Sequence, residues 1–355
     1  STTLDKKGGT VAAGGLGITI PKKAIKTPST IEVYRGIGVS TMDNIRTSDV
    51  YRVTGLSQDL YKSVKLSLET ENNNLEGNPF VVLTTETFVP SLGKVDTVSQ
   101  TIPATSTNNL VSVNLPISPK TSTKTLMMDQ GIEPLFRDEI AVEMHAVKLR
   151  SKTSSTGKFI ATYVGKSGDP MEKVAEEVLK IAEEAYTKLE SFGVSMSKRT
   201  NPIVLDMETF SSSEEGRVGE TTAGFLGKFF GPNHYSIRLN KERIMEGNVI
   251  SQKLRETIPH ELCHIAQSLY DSRSYFAMAT SADPWFWTEE AICTWFEWKM
   301  TDTSRVPDNV AEDKYQFLFH HGLHFPPATS SSEEITSIQN HGYGASMFLS
   351  YVTSK

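Results

Sequence analysis

The stretch TIPHELCHIAQ, residues 257–267, carries three side chains whose types and spacing suit hydrolytic chemistry: His260, Glu261 and His264, in the pattern H-E-x-x-H. On a helix, residues four apart share a face about one turn from each other, so the two imidazoles can present nitrogens to one metal ion. Glu261, one position on, stands beside that metal, where its carboxylate can take a proton from a bound water. Zinc in such a site lowers the pKa of its water to about 7 and polarises a scissile carbonyl. The carboxylate then acts as general base and returns the proton to the leaving group. The bland alternative is an amphipathic helix with incidental histidines.

A catalytic zinc takes three protein ligands and keeps one position for water, so a third donor is needed. Downstream lies WFWTEEAICTWFEWK, residues 285–299. Its Trp287, Glu290, Cys293, Trp295 and Glu297 resemble the W-x-x-E-G-x-A-x-Y-x-E second helix of the gluzincin metallopeptidases, the group that includes aminopeptidase N and thermolysin. The run EAIC resembles the thermolysin-type third-ligand helix. This resemblance implies that Glu290 is the third ligand, with Ala291 where the family has Gly. Glu289 is the rival, but Trp287 stands three residues before Glu290, as the pattern requires. The family's orienting carboxylate, one turn after the third ligand, is replaced by Thr294. The segment between His264 and Glu290 is longer than in these relatives, and its extra length falls in RSYFAMATSADP, a loop expected to border a cleft.

Hydrolysis also needs a donor to the oxyanion. The segment QNHGYGASMFLSYV resembles the gluzincin stretch in which a tyrosine or histidine precedes a Gly-Ala helix start, which assigns that donor to Tyr343 or His341 jointly. The strand HYSIRLN, just before the motif helix, corresponds to the family's peptide-binding edge strand, with a plain internal strand as the alternative. No G-x-M-E-N-like exopeptidase signature lies upstream, which favours an endopeptidase.

These groups need elements to hold them. Pro259 allows residues 260–264 to be helical if Thr257 caps a helix there or if a helix over SQKLRE runs into it. Before it, KFIATYV and PIVLDM read as strands. DPMEKVAEEVLKIAEEAYTKLESFGV reads as a helix capped by Asp169 and stopped at Gly193, with Val174, Val178, Ile181, Ala182, Ala185 and Leu189 on its buried face. Cys263 and Cys293 read as small buried packing residues, with a disulfide as the alternative. His145 reads as a sheet histidine, and His320, His321 and His324 as loop residues.

The first 120 or so residues alternate in short stretches such as STIEVYRGI, SVKLSLET and FVVLTTETF, the pattern of an antiparallel β-sandwich. The opening GGTVAAGGLGITIPKKAIKTPSTIEVYR resembles the β-sandwich module of netrin receptors and ankyrins, in which a Gly-Gly turn precedes a strand ending in Ile-Pro. A net charge of -6 and a pI near 5.8 with mixed signs give no basic stripe for nucleic acid. No apolar run is long enough for a transmembrane segment. The start lacks an initiator Met and a signal-like segment, and the end falls within a helical pattern, so a longer natural protein with an export signal and possible surface attachment is expected.

The expectation is therefore a multidomain chain. Residues 1–150 form the all-β sandwich, and residues 151–355 form an α+β zincin-like metallopeptidase domain with a helical C-terminal lobe. The function expected is Zn2+-dependent hydrolysis of a peptide or protein substrate, secreted or at the cell surface. The alternative is a catalytically inactive, peptidase-like surface adhesin or binding protein.

Overall fold

The computed structural model describes residues 1–25, 28–36, 45–55, 62–71, 76–89, 94–115, 142–197, 199, 202–210, 218–222, 236–246, 249–270, 286–301 and 332–353. At 85–89, 94–98, 220–222, 246, 249, 286–287, 332–341 and 343 it describes the backbone alone.

The N-terminal strands alternate as their sequences require. One sheet has five strands in the order β2 (Gly9–Ala13), β3 (Leu16–Ile20), β6 (Val64–Glu69), β10 (Leu110–Leu115) and β9 (Thr105–Thr107), each antiparallel to its neighbour. Leu16, Ile18 and Ile20 face inward together with Val64, Leu66 and Leu68 and with Val111, Val113 and Leu115, one residue in two. The two-residue loop between β2 and β3 needs positive φ at both positions, which Gly14 (55°) and Gly15 (98°) supply. The facing layer contains β1 (Thr2–Leu4), β4 (Ser29–Gly36), β5 (Val50–Thr54), β7 (Asn78–Val89), β8 (Lys94–Pro103) and β11 (Val142–Thr153). Ile31, Tyr51, Val53, Val81, Leu83, Val142 and Met144 from this layer share one buried cluster with the first sheet.

Strand β11 links the two parts of the molecule. Its first half pairs with β5 and β7, and Arg150–Thr153 pair with β12 (Phe159–Tyr163). The boundary expected at 150/151 thus falls inside a strand that both parts use. The sheet continues through β13 (Ile203–Glu208) and β15 (Ser236–Asn240), both parallel to their predecessors, to β14 (Gly219–Thr222), antiparallel at the end of the order. The strand expected at HYSIRLN is therefore internal. It pairs on both sides, and β14 takes the edge among the described residues.

Helix α1 (Met171–Ser191) connects β12 to β13 and buries Val174, Val178, Ile181, Ala182, Ala185 and Leu189. Asp169 Oδ1 accepts from the Met171 N–H at 2.9 Å. At the other end, Val194 N–H reaches Leu189 O and Gly193 N–H reaches Glu190 O, with Gly193 at φ 82°. This is the paired closure that a left-handed residue permits.

The two faces of this sheet have different tasks. Ile203, Leu205 and Met207 pack with α1 in a second buried cluster, while Asp206 points the other way. Thr101 on β8 and Thr162 on β12 donate to its two carboxylate oxygens at 2.6 and 2.7 Å. A buried carboxylate without such donors would cost several kcal/mol. Here it joins the N-terminal layers to the C-terminal sheet.

Candidate metal centre

Three helices carry the motif residues: α2 (Gln252–Tyr270), α3 (Phe286–Thr301) and α4 (Ser332–Thr353). Ser251 starts α2, its hydroxyl accepting from the Leu254 N–H at 3.3 Å and donating to the Arg243 carbonyl at 3.0 Å. The helix then runs through Pro259, so Thr257 is an interior residue and not the cap. Thr257 packs close against β14: a Cβ added to Gly219 would meet its Cγ2 at 2.6 Å. Helix α3 packs on α2, with Cys293 and Phe296 in the core, Trp295 against Phe192 (5.3 Å between rings), and Trp295 Nε1 donating to Thr353 Oγ1 of α4 at 3.0 Å. Glu289 in its first turn and Lys299 in its last suit the helix dipole.

These elements bring together His260, His264 and Glu290, whose ligand atoms all lie within 4.8 Å of one another. The two Nε2 atoms are 3.2 Å apart, and each is 3.4 Å from a different oxygen of Glu290. Donors bonded tetrahedrally to one zinc at about 2.0–2.1 Å stand about 3.3–3.4 Å apart, so the three groups fit a single ion. The donor set of two imidazoles and a carboxylate suits zinc and also other divalent transition metals. Among the described residues this is the one His, Cys, Asp and Glu cluster with that closeness, and Glu289 is outside it.

The remaining ring nitrogens are held from behind. His260 Nδ1 faces Glu297 Oε2 at 3.3 Å, and His264 Nδ1 faces Gln267 Oε1 at 3.1 Å and Cys293 Sγ at 3.3 Å. Glu297, seven residues after Glu290 and on the same side of α3, thus places a carboxylate behind His260, where Thr294 has none. Glu297 is the last acid of the gluzincin-like pattern, which gives it no role, and Gln267 belongs to neither motif. Spacing could have found both, since positions three or seven apart on a helix share a face.

The electrostatics follow from this crowding. Burial alone pulls both imidazoles down, but Glu290, joined at His260 by Glu297, outweighs it. His260 is held well above the ordinary histidine range and His264 above it. Burial pushes Glu290 up, yet the imidazoles beside it hold its carboxyl well below the usual carboxylate range. Glu261 is half-buried on α2 and contributes its negative field to both histidines. Cys263 and Cys293 are buried thiols, not a disulfide, and burial pushes the Cys293 thiol well up.

His341 and Tyr343 both fall within α4, and their side chains lie outside the described residues. The Gly-Ala pair expected to start a helix lies in the interior of this 22-residue one. Gly342, Gly344, Ala345 and Ser346 are all buried there. Mid-helix glycine costs about 1 kcal/mol against alanine. The loop RSYFAMATSADP and His320, His321 and His324 lie outside the described residues, as does the side chain of Trp287. His145 is buried in β11 opposite Val82, outside the cluster.

No helix among the described residues is long and apolar enough to cross a membrane. No known family model matches the chain, and no curated protein matches its sequence.

Proposed function

We propose that the chain is a zinc-dependent peptidase of gluzincin type. In this reading the N-terminal β layers up to the shared strand β11 are a β-sandwich module, and the chain from β12 onward is a peptidase domain with a helical lobe. The observation that carries the proposal is the convergence of His260 Nε2, His264 Nε2 and the Glu290 carboxylate at 3.2–3.4 Å, with both Nδ1 atoms anchored behind them. Two imidazoles facing opposite oxygens of one buried carboxylate are the donor arrangement that a three-ligand zinc site needs.

Zinc bound by these three residues would supply Lewis acidity and a water of lowered pKa. Glu261 takes a proton from the attacking water and passes it to the departing amine, since it is the motif carboxylate with no ligand task. Glu297 and Gln267 keep the imidazoles turned with Nε2 forward. Tyr343 or His341 donates to the oxyanion. An extended peptide has a natural place along the outer edge of β14, where backbone hydrogen bonds would hold its register beside α2. The substrate class is then a peptide or protein cut internally, outside the cell or at its surface.

The direct test is cleavage of a random peptide library by zinc-loaded protein, read by mass spectrometry. Glu261→Gln should keep zinc and lose cleavage by roughly 10²–10⁴-fold. Undiminished cleavage by that variant sinks the mechanism.

A further inference from the structure

We infer that Gln267 is the positioning residue that sets the tautomer of His264 and ties that histidine to the helix bearing the third ligand; this rests on the metal site proposed above. Gln267 lies three residues after His264 on the same face of α2 and is half-buried. Its Nε2 is 3.1 Å from the carbonyl oxygen of Glu289, its Oε1 is 3.1 Å from His264 Nδ1, and Cys293 Sγ lies 3.4 Å from the same Oε1. A carbonyl oxygen can only accept, so the amide nitrogen must face Glu289. The amide oxygen therefore faces His264, and an oxygen can only accept there, so Nδ1 carries the hydrogen. In neutral His264 the lone pair is then on Nε2, the atom that faces His260 and Glu290. Cys293 Sγ, 3.3 Å from Nδ1, is a weak further acceptor for that hydrogen or donates its own to Oε1, and neither arrangement changes the tautomer.

The same amide acts on the third ligand. Glu289 immediately precedes Glu290, so the bond to its carbonyl holds the first turn of α3 in register with His264. Among the described residues His260 has no such double tie: its Nδ1 faces the Glu297 carboxylate, which accepts from it. A glutamate at 267 would keep the bond to His264 and lose the one to Glu289. A leucine would lose both.

The test is zinc affinity of the full chain by competition with a chromogenic chelator, with thermal unfolding of the zinc-free proteins as a control on folding. Gln267→Leu should weaken zinc binding by about 10–100-fold, the usual effect of removing a partner behind a ligand. Gln267→Glu should fall between it and wild type. Nitrogen-15 NMR of the zinc-free wild type at alkaline pH should find the His264 proton on Nδ1, a readout that holds even if the leucine variant fails to fold. A leucine variant within about twofold of wild type, a glutamate variant no tighter than leucine, or a proton on Nε2 in the zinc-free protein overturns the role of Gln267 alone. Failure of the wild type to take up zinc overturns the metal site itself.

Discussion

The core between the N-terminal β layers is lined by aliphatic side chains such as Ile18, Leu66, Leu68 and Val53, whereas the core beneath α2 and α3 lies against two histidines, a glutamate and two cysteines. The first arrangement needs only alternation and volume: any inward side chain that fills the space will serve. The second buries ionisable groups that would be costly alone and are sustained by one another, His260 and His264 by Glu290, and His260 by Glu297. Mutually sustained buried charge is a poor route to stability, so the contrast marks the second core as the candidate site.

Mutations should affect the two regions in different currencies. Leu68 is fully buried, and Leu68→Ala should cost about 2–5 kcal/mol in urea unfolding while leaving zinc content unchanged. Loss of zinc from that variant, at a temperature where it remains folded, would mean the two cores are not separate. Glu297→Gln should do the reverse, lowering zinc affinity by about 10–100-fold with little change in the unfolding of the metal-free protein. An unchanged affinity would remove Glu297 from the site.

The smallest effect sharpens the contrast at the junction. Burial pushes the Asp206 carboxyl up, against the pull of Thr101, Thr162 and Arg238. Its folded pKa thus exceeds the unfolded one, and its contribution is largest below about pH 3.9 and declines as pH rises through the folded value. Asp206→Asn removes that slope. The difference in unfolding free energy between variant and wild type should therefore move in the variant's favour as pH is raised from about 4 to 8. Parallel curves would show that the carboxyl is not perturbed.

Much of this was legible locally. Asp169 and Gly193 bound α1 because capping depends on neighbours in sequence, and Gly14–Gly15 mark their turn for the same reason. What was not legible depends on tertiary choices. Pro259 left two readings open, a cap at Thr257 or a helix over SQKLRE running into it, and α2 takes the second, beginning at the Ser251 cap. The pairing of Ser236–Asn240 on both sides follows from where Gly219–Thr222 returns, which no periodicity records. Likewise β11 serves two sets of partners, which is a property of the sheet and not of its own sequence. Of the site, H-E-x-x-H was plain and Glu290 needed the resemblance. Glu297 was obscured by the expectation of an acid one turn after Glu290, when two turns return to the same face.

The central claim is that Glu290 completes a metal site with His260 and His264, and elemental analysis of purified protein offered zinc tests it most directly. Wild type should hold about one zinc per chain, as a single three-ligand site requires, and Glu290→Ala should hold little or none. No tightly bound zinc in the wild type, or equal zinc in both proteins, would contradict the account.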